Sequence, residues 1–340
     1  MIVSTRLLAR VGTAAALATI GYALVQRARR WDLRGRTVLV TGGSRGLGLS
    51  IARELARAGA RVAICGRDEA TLDRARCELE RHGLVVALRC DMRVKEDIDL
   101  LVKEVSARLG PIDALVNNAG LITVGPVEAM EVQDFADAMD TNFWGPLHAI
   151  RAVLPEMRRR RTGRIVNIAS IGGMIAVPHL LPYSASKFAL VGLSEGLRAE
   201  LARDGILVTT ICPGLMRTGS PRHAFFKGRH RAEFAWFSIS DSLPGLSMDV
   251  ERAAREIVEA LSAGETGRVL SLPAKLGALA HGLFPGFTAE LLGLVNRCLP
   301  SAQGNEGGVR LKGEDSVSAL SPSWLTRLGD RAAKRNNQTA

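Results

Sequence analysis

Aromatic residues make up only 4% of this 340-residue sequence, which holds two tyrosines, six histidines and five cysteines. The cysteines, Cys65, Cys77, Cys90, Cys212 and Cys298, are odd in number and widely spaced, and none falls in a CxxC or Cys/His ligand pattern. That argues against a disulfide framework and a structural metal, and suits a reducing compartment. Cys65, Cys90 and Cys212 each close an apolar run, where a buried small hydrophobe is the ordinary role. No internal repeat occurs. What the chain does have is apolar content: 47% of residues are hydrophobic, mainly Ala, Val, Leu and Ile, enough to build a core. The length suits one large α/β domain with appendages.

A formal charge of +11 raises the question of nucleic acid, so its distribution matters. Residues 1–36 hold seven Arg and one Asp, and residues 301–340 hold six basic and four acidic residues, leaving only +3 for the body. The run Arg158–Arg161 reads as the solvated end of a helix, and no nucleic-acid groove is expected. Within the basic arm, residues 11–26 are uncharged and nearly long enough to cross a bilayer core, which needs ~20 mostly apolar residues. A short span is one reading, an interfacial helix another, and a cleaved signal peptide a third that lacks a clean A-x-A site. Two arginines precede the segment and five follow by Arg36, which places the body on the cytoplasmic side of a membrane.

After the arm, apolar runs alternate with amphipathic stretches. Expected strands are Thr37–Thr41, Arg61–Cys65, Val85–Cys90, Ala114–Asn117, Arg164–Ala169, Leu207–Cys212 and Arg268–Leu272. This predicts a doubly wound, Rossmann-like parallel sheet of about seven strands in one domain, residues 35–272. Residues 1–34 form the apolar arm, 273–300 an apolar extension able to pack on the body, on a second subunit or on lipid, and 301–340 a polar tail. The tail is expected to be largely disordered, with Trp324–Leu328 as a short docking segment. Ser220–Met248 breaks the rhythm with two prolines and the apolar clusters Phe225–Phe226 and Trp236–Phe237, and reads as a mobile lid.

The first expected strand runs into Thr41, Gly42, Gly43, Ser44, Arg45, Gly46, Leu47 and Gly48, followed by helical sequence. Glycines allow a tight turn and close approach of a pyrophosphate to backbone amides at the positive end of a helix. The Gly-x3-Gly-x-Gly spacing resembles that of the short-chain dehydrogenase/reductase family. The resemblance continues in Asp91 after the third strand and in Asn117, Asn118, Ala119 and Gly120 after the fourth, and it covers roughly residues 35–272. It implies a nicotinamide dinucleotide cofactor bound by the glycine loop, by Asp91 and Met92 at the adenine, and by Asn118, Ala119 and Gly120. Arg67 stands at the end of the second strand, where an NAD enzyme places a carboxylate. With Arg45 in the loop, it favours a 2′-phosphate and hence NADP(H). Asp68, next along, reads as a helix N-cap rather than a ribose ligand.

Tyr183 and Lys187 match the family's Tyr-x3-Lys pair, brought to one face of a helix by their i, i+4 spacing. The resemblance assigns proton handling to Tyr183, ribose binding to both Lys187 and Tyr183, the substrate oxygen to Ser170 and support of a water chain to Asn142. Lowering a tyrosine pKa by ~3 units takes ~4 kcal/mol of differential stabilisation, which an ammonium and an oxidised nicotinamide could supply. Pro213, Gly214 and Thr218 complete the pattern at the nicotinamide. His148 and His179 read as wall or surface residues. The expected activity is NADP(H)-linked interconversion of a carbonyl and an alcohol on a lipophilic substrate, such as a steroid, retinoid-like or long-chain acyl compound. Alternatives are a soluble-substrate ketoreductase, such as a 3-oxoacyl-thioester reductase, and a nonenzymatic NADP-binding scaffold. Dimers or tetramers of this family often pair through helices that here are Val132–Arg160 and Tyr183–Arg203.

Overall fold

Alternation along the first strand sets the layers. In β1 (Thr37–Thr41), Val38 and Val40 point to one side of the sheet and Leu39 to the other, and all three are fully buried. Val38 and Val40 join a core with α1 (Gly46–Arg57), α2 (Glu69–Leu79) and α8 (Val250–Ala263). Leu39 joins the core of α3 (Lys95–Leu109), α5 (Gly145–Arg160) and the end of α6 (Leu181–Leu201). Strands covered on both faces need apolar residues at nearly every position, which is why their runs were legible without alternation.

The computed structural model describes residue 21, residues 29–301 and residues 309–338 apart from 319, 322 and 324. The central sheet joins β1 to β2 (Arg61–Gly66), β3 (Val85–Arg89), β4 (Ala114–Asn117), β6 (Gly163–Ile168), β7 (Ile206–Pro213) and β11 (Gly267–Leu270). Their order is β11-β7-β6-β4-β1-β2-β3, and every pairing is parallel. The order reverses between β1 and β4, where a crevice opens at the carboxyl ends of the strands and ligands bind in folds of this type.

Two departures from expectation bear on the site. The stretch read as one helix, Val132–Arg160, is α4 (Val132–Met139), a π-turn at Asp140–Trp144 and then α5. Close packing accompanies the change of winding: a side chain at Gly145 would meet the Met92 carbonyl at 2.6 Å. As expected, the Arg158–Arg161 run is a helix end, with Arg158 paired to Asp204 at 2.9 Å and Arg160 to Asp113 at 2.8 Å.

The segment read as a lid is folded. It comprises β9 (Phe225–Phe226), α7 (His230–Ser242) and the start of β10 (Met248–Asp249), which pairs with β8 (Met216–Arg217) just before the segment. β9 pairs with β5 (Thr123–Val124) and with β12 (Leu311–Lys312) in a small separate sheet. Phe226, Phe234 and Phe237 form its core with Val124 and Leu180. The described part of the tail therefore departs from the disordered reading: β12 and α11 (Arg327–Arg335) pack on the body because Phe225–Phe226 leaves an edge for a strand and α7 a face for a helix. Trp324 lies outside the described residues, as does almost all of the arm; among those described, no helix is long and apolar enough to cross a membrane. The apolar extension forms two helices, α9 (Leu272–Leu283) and α10 (Pro285–Asn296), whose leucines and phenylalanines are mostly exposed.

One buried ion pair fastens the lid strand to α4. Lys227, 2% exposed, reaches Asp134 at 2.8 Å. Removing one partner of such a pair leaves an uncompensated buried charge, at a cost of ~3–5 kcal/mol. Lys227→Met should therefore lower the urea midpoint accordingly, and adding Asp134→Asn should recover part of the loss. A single-variant shift below ~0.5 kcal/mol, the range of ordinary surface changes, would remove this lock from the account.

Candidate active site

At the carboxyl end of β1 the Thr41 hydroxyl accepts the amides of Asn118 at 3.0 Å and Ala119 at 3.1 Å. The Asn118 side chain returns two bonds, to the carbonyls of Thr41 and Gly42. Glycine is required where these loops touch: a side chain at Gly42, which has φ +63°, would meet Ala119 Cα at 2.8 Å, and one at Gly48 would meet Asn118 Nδ2 at 2.5 Å. Asn117, the first residue of the second motif, points the other way. Its amide donates to Asn167, whose own amide donates to Ser194 at 2.6 Å, a buried polar chain from β4 through β6 to α6.

Arg45 lies within reach of the charge of Arg67. Burial, then the charge of Arg67, lowers the Arg45 pKa. Asp68 does not stand between them as a ligand; it caps α2, accepting the Thr71 amide at 2.7 Å. Asp91 is engaged by Arg93 at 2.6 Å, which holds its carboxyl below the usual range. Met92 is buried against Cys65 and Cys90.

At the end of β6, Ser170 starts a short 3₁₀ turn and accepts the Gly172 amide at 3.0 Å, and its hydroxyl lies near enough to the Tyr183 phenol to offset part of the effect of burial on it. Tyr183 keeps partial solvent exposure but is densely surrounded, and burial pushes its hydroxyl up to about 12. Lys187 is buried one turn further along α6, with Nζ donating to the Ile168 carbonyl at 2.8 Å and 5.7 Å from the Tyr183 ring centre. Burial pulls its pKa down to about 8. Asn142 sits on the π-turn, donating to Ser186 at 2.9 Å and to the Leu121 carbonyl at 3.0 Å, while its Oδ1 accepts the Leu121 amide. π-Turns inside helices are frequent at functional sites. Thr218 is buried and accepts the Ser220 amide; Gly214 packs so tightly that a side chain would meet Ser271 Oγ at 2.7 Å. Beside Lys187, Cys212 is an inert thiol, pushed up to about 11 by burial.

Three features escaped the sequence reading. His179, with φ +62°, bonds Glu233 at 2.8 Å, and Glu233 also accepts the Trp236 indole at 2.6 Å, both carboxylate oxygens being buried with their residue in the lid. Asp241, buried in α7, is raised to about 7 by burial and its field reaches Tyr183. The tail also reaches the glycine loop, where the Gly46 amide donates to the Asn336 carbonyl at 2.8 Å. No local pattern announces contacts between residues so far apart in the chain. The π-turn had a weak signal in Gly145-Pro146, which interrupts an otherwise helical stretch.

Residues 36–225 match the model of the short chain dehydrogenase family. The chain belongs to that family. A putative ketoacyl reductase of Streptomyces coelicolor is 44% identical over 183 residues, 53% of this chain and 70% of the relative. The 3-dehydrosphinganine reductase of Danio rerio is 38% identical over 187 residues, which is 53% of this chain but only 56% of that protein. Among solved structures, a variant of actinorhodin polyketide ketoreductase with NADPH superposes with a TM-score of 0.62 at 36% identity, covering 70% of this chain and 95% of the other. A short-chain dehydrogenase from Streptomyces avermitilis gives 0.64 at 32% identity, covering 77% and 98%. Short-chain dehydrogenases are oxidoreductases of carbonyl and alcohol groups that use a nicotinamide cofactor, and this chain has their fold. Ser170, Tyr183, Lys187 and Asn142 come together around the start of α6, and Thr41 through Gly48 lie at the carboxyl end of β1.

The lowered Lys187 pKa has a sign that activity can read. The ammonium is charged below about 8 and lost above it, so a reaction that needs the cation is fastest on the acid side. Reductive kcat/KM, which reports free-enzyme groups, should fall above pH ~8, and Lys187→Arg, whose charge persists, should move or abolish that limb. A flat profile from pH 7 to 10 would show that Lys187 does not control the step.

Proposed function

We propose that this short-chain dehydrogenase transfers a hydride between NADP(H) and a carbonyl or alcohol carbon of a lipophilic molecule, such as a steroid, a retinoid-like or a long-chain acyl compound. The observation that carries the chemistry is the meeting of Ser170, Tyr183 and Lys187 at the carboxyl ends of the central strands. A dinucleotide fits the residues present: Gly42, Gly46 and Gly48 carry no side chain of their own where the backbone must be approached, and Arg45 lies in the field of Arg67 with Asp68 turned to its cap. Two mutually repelling cations are relieved by a 2′-phosphate, which accepts bidentate hydrogen bonds from arginine. Thr41, Gly42, Ser44, Gly46, Leu47 and Gly48 would line the pyrophosphate and Arg45 and Arg67 the phosphate. Asp91 and Met92 would flank the adenine, with Asn118, Ala119, Gly120, Pro213, Gly214 and Thr218 nearer the nicotinamide.

When bound, a reduced nicotinamide supplies the hydride. The protein supplies the proton. As negative charge grows on the substrate oxygen, the Ser170 hydroxyl holds that oxygen and the Tyr183 hydroxyl donates its proton to it. A phenol held up to about 12 is loaded with its proton at neutral pH, which suits reduction. Lys187 places a positive charge beside the phenolate left behind, and Asn142 ties Leu121 to Ser186 on the helix that carries Tyr183 and Lys187.

Support for a lipophilic substrate comes from the walls. Tyr183 packs against a cluster of Phe226, Phe234, Phe237, Leu180 and Trp236. Beyond it, α9 and α10 leave Leu272 and Phe287 about 70% exposed, at 67% and 71%. Contiguous exposed apolar surface of this kind marks an interaction face. Together with the uncharged residues 11–26, it supports work at the cytoplasmic face of a membrane. The names of the relatives, a ketoacyl reductase and a 3-dehydrosphinganine reductase, support a ketone on an acyl or alkyl chain. A soluble 3-oxoacyl-thioester reductase is the second reading, favoured by the ketoacyl reductase relative.

NADPH oxidation with a panel of long-chain ketones and short polar ketones tests this. Long-chain substrates should have the higher kcat/KM, and Tyr183→Phe should lower turnover by ~10²–10⁴; equal turnover by that variant would remove Tyr183 as the proton donor, and no turnover of any ketone by the natural chain would leave an NADP-binding scaffold. Preference confined to small polar ketones would favour the second reading. For the cofactor, Arg67→Asp should reduce the ratio of NADPH to NADH efficiency by at least ~10-fold, since a carboxylate repels the 2′-phosphate. An unchanged ratio would undo the charge argument.

A further inference from the structure

The last described residues close over the glycine loop. α11 runs along the lid, held by Arg222 to Asp330 at 3.3 Å and by Arg335 near Glu251 at 3.5 Å. It ends with Asn337 in the left-handed region at φ +55°, a conformation that asparagine tolerates at helix ends and that here turns the chain into the crevice. The Asn336 carbonyl takes the Gly46 amide at 2.8 Å, and its side chain takes the Ser50 hydroxyl at 2.9 Å. Asn337 donates to the carbonyls of Ser44 at 2.9 Å and Thr71 at 3.0 Å, and accepts from Arg74. Gln338 fills the space that a side chain on Gly46 would occupy and also lies against Gly219, 3.2 Å from a side chain there. Its carbonyl is 3.2 Å from His223 Nε2.

These contacts use the groups a dinucleotide needs. Gly46 opens α1, so its amide is one of the free donors at a helix start that favour an anionic oxygen, and the bare face of a loop glycine is where a pyrophosphate approaches. Gln338 bridges that face to the loop after Thr218, across the crevice. A peptide carbonyl and a primary amide are neutral and weaker acceptors for these donors than a phosphate oxygen. The contact is also imperfect: Gln338 Oε1 is buried without a hydrogen-bond partner among the described residues, a condition that favours release.

We propose that Asn336–Gln338 form a tethered gate over the pyrophosphate-binding loop, which NADP(H) displaces as it binds. The inference rests on the cofactor reading above. While the gate is shut the loop is not competent, so the apparent dissociation constant is the intrinsic one divided by the open fraction. Because α11 also packs on α7 and β8, opening the gate loosens the lid at the same time, which couples cofactor entry to substrate access.

The test compares the full chain with a chain ending at Arg335 and with the full-length double variant Asn337→Ala, Gln338→Ala, titrating NADPH and NADH by fluorescence. Both changes should tighten NADPH binding about tenfold or more. Hydrogen exchange of the full chain should show residues 327–338 losing protection when NADPH is added. Unchanged or weaker NADPH binding by both variants, with the tail still protected under saturating NADPH, would overturn the gate while leaving the cofactor reading intact. Tightening for NADH with no preference for NADPH would keep the gate and overturn the 2′-phosphate reading.

Discussion

The Thr41 hydroxyl, which accepts two successive amides from the end of β4, is the contact on which the site depends. It joins the two central strands at the point where strand order reverses, and the Asn118 side chain closes the same junction from the other side. With both loops held, the glycines between them are compelled rather than permitted, because backbone occupies the space of their side chains. The sheet lies beneath this junction, and separating the two loops would break all four of these half-buried hydrogen bonds.

The chemistry at the opposite end is supported in the same way. Asn167 links β4 to α6 through Asn117 and Ser194, and Asn142 links the π-turn to Ser186. Tyr183 and Lys187 therefore stand on a helix tied at one level to the sheet and at another to the π-turn. Burial then divides their proton affinities in opposite directions, raising the phenol and lowering the ammonium. The separation favours a neutral tyrosine, so the sequence-level expectation of a lowered phenol is not met by the protein alone; desolvation outweighs Lys187, whose Nζ is directed to the Ile168 carbonyl.

Appended segments give this member of the family its particular surroundings. The lid carries its own small core and a buried ion pair to α4, and β12 from the tail extends its sheet. α9 and α10 present leucine and phenylalanine to the outside next to the lid's anchoring turn at Gly214. The tail returns to the glycine loop nearly 300 positions after that loop in the chain.

The sequence by itself determined the central sheet almost to the residue, because strands covered on both faces require unbroken apolar runs and the glycine turns require absent side chains. Through their resemblance to the family's motifs it also singled out Tyr183, Lys187, Ser170 and Asn142, which the fold brings near one another around the start of α6. Tertiary structure alone decided the rest. The His179–Glu233–Trp236 contact, the buried Asp241 and the seat of Asn336–Gln338 on Gly46 join residues with no shared period or motif. Such contacts arise from which surfaces remain uncovered once the core has formed, a property of the folded shape and not of any local stretch of chain.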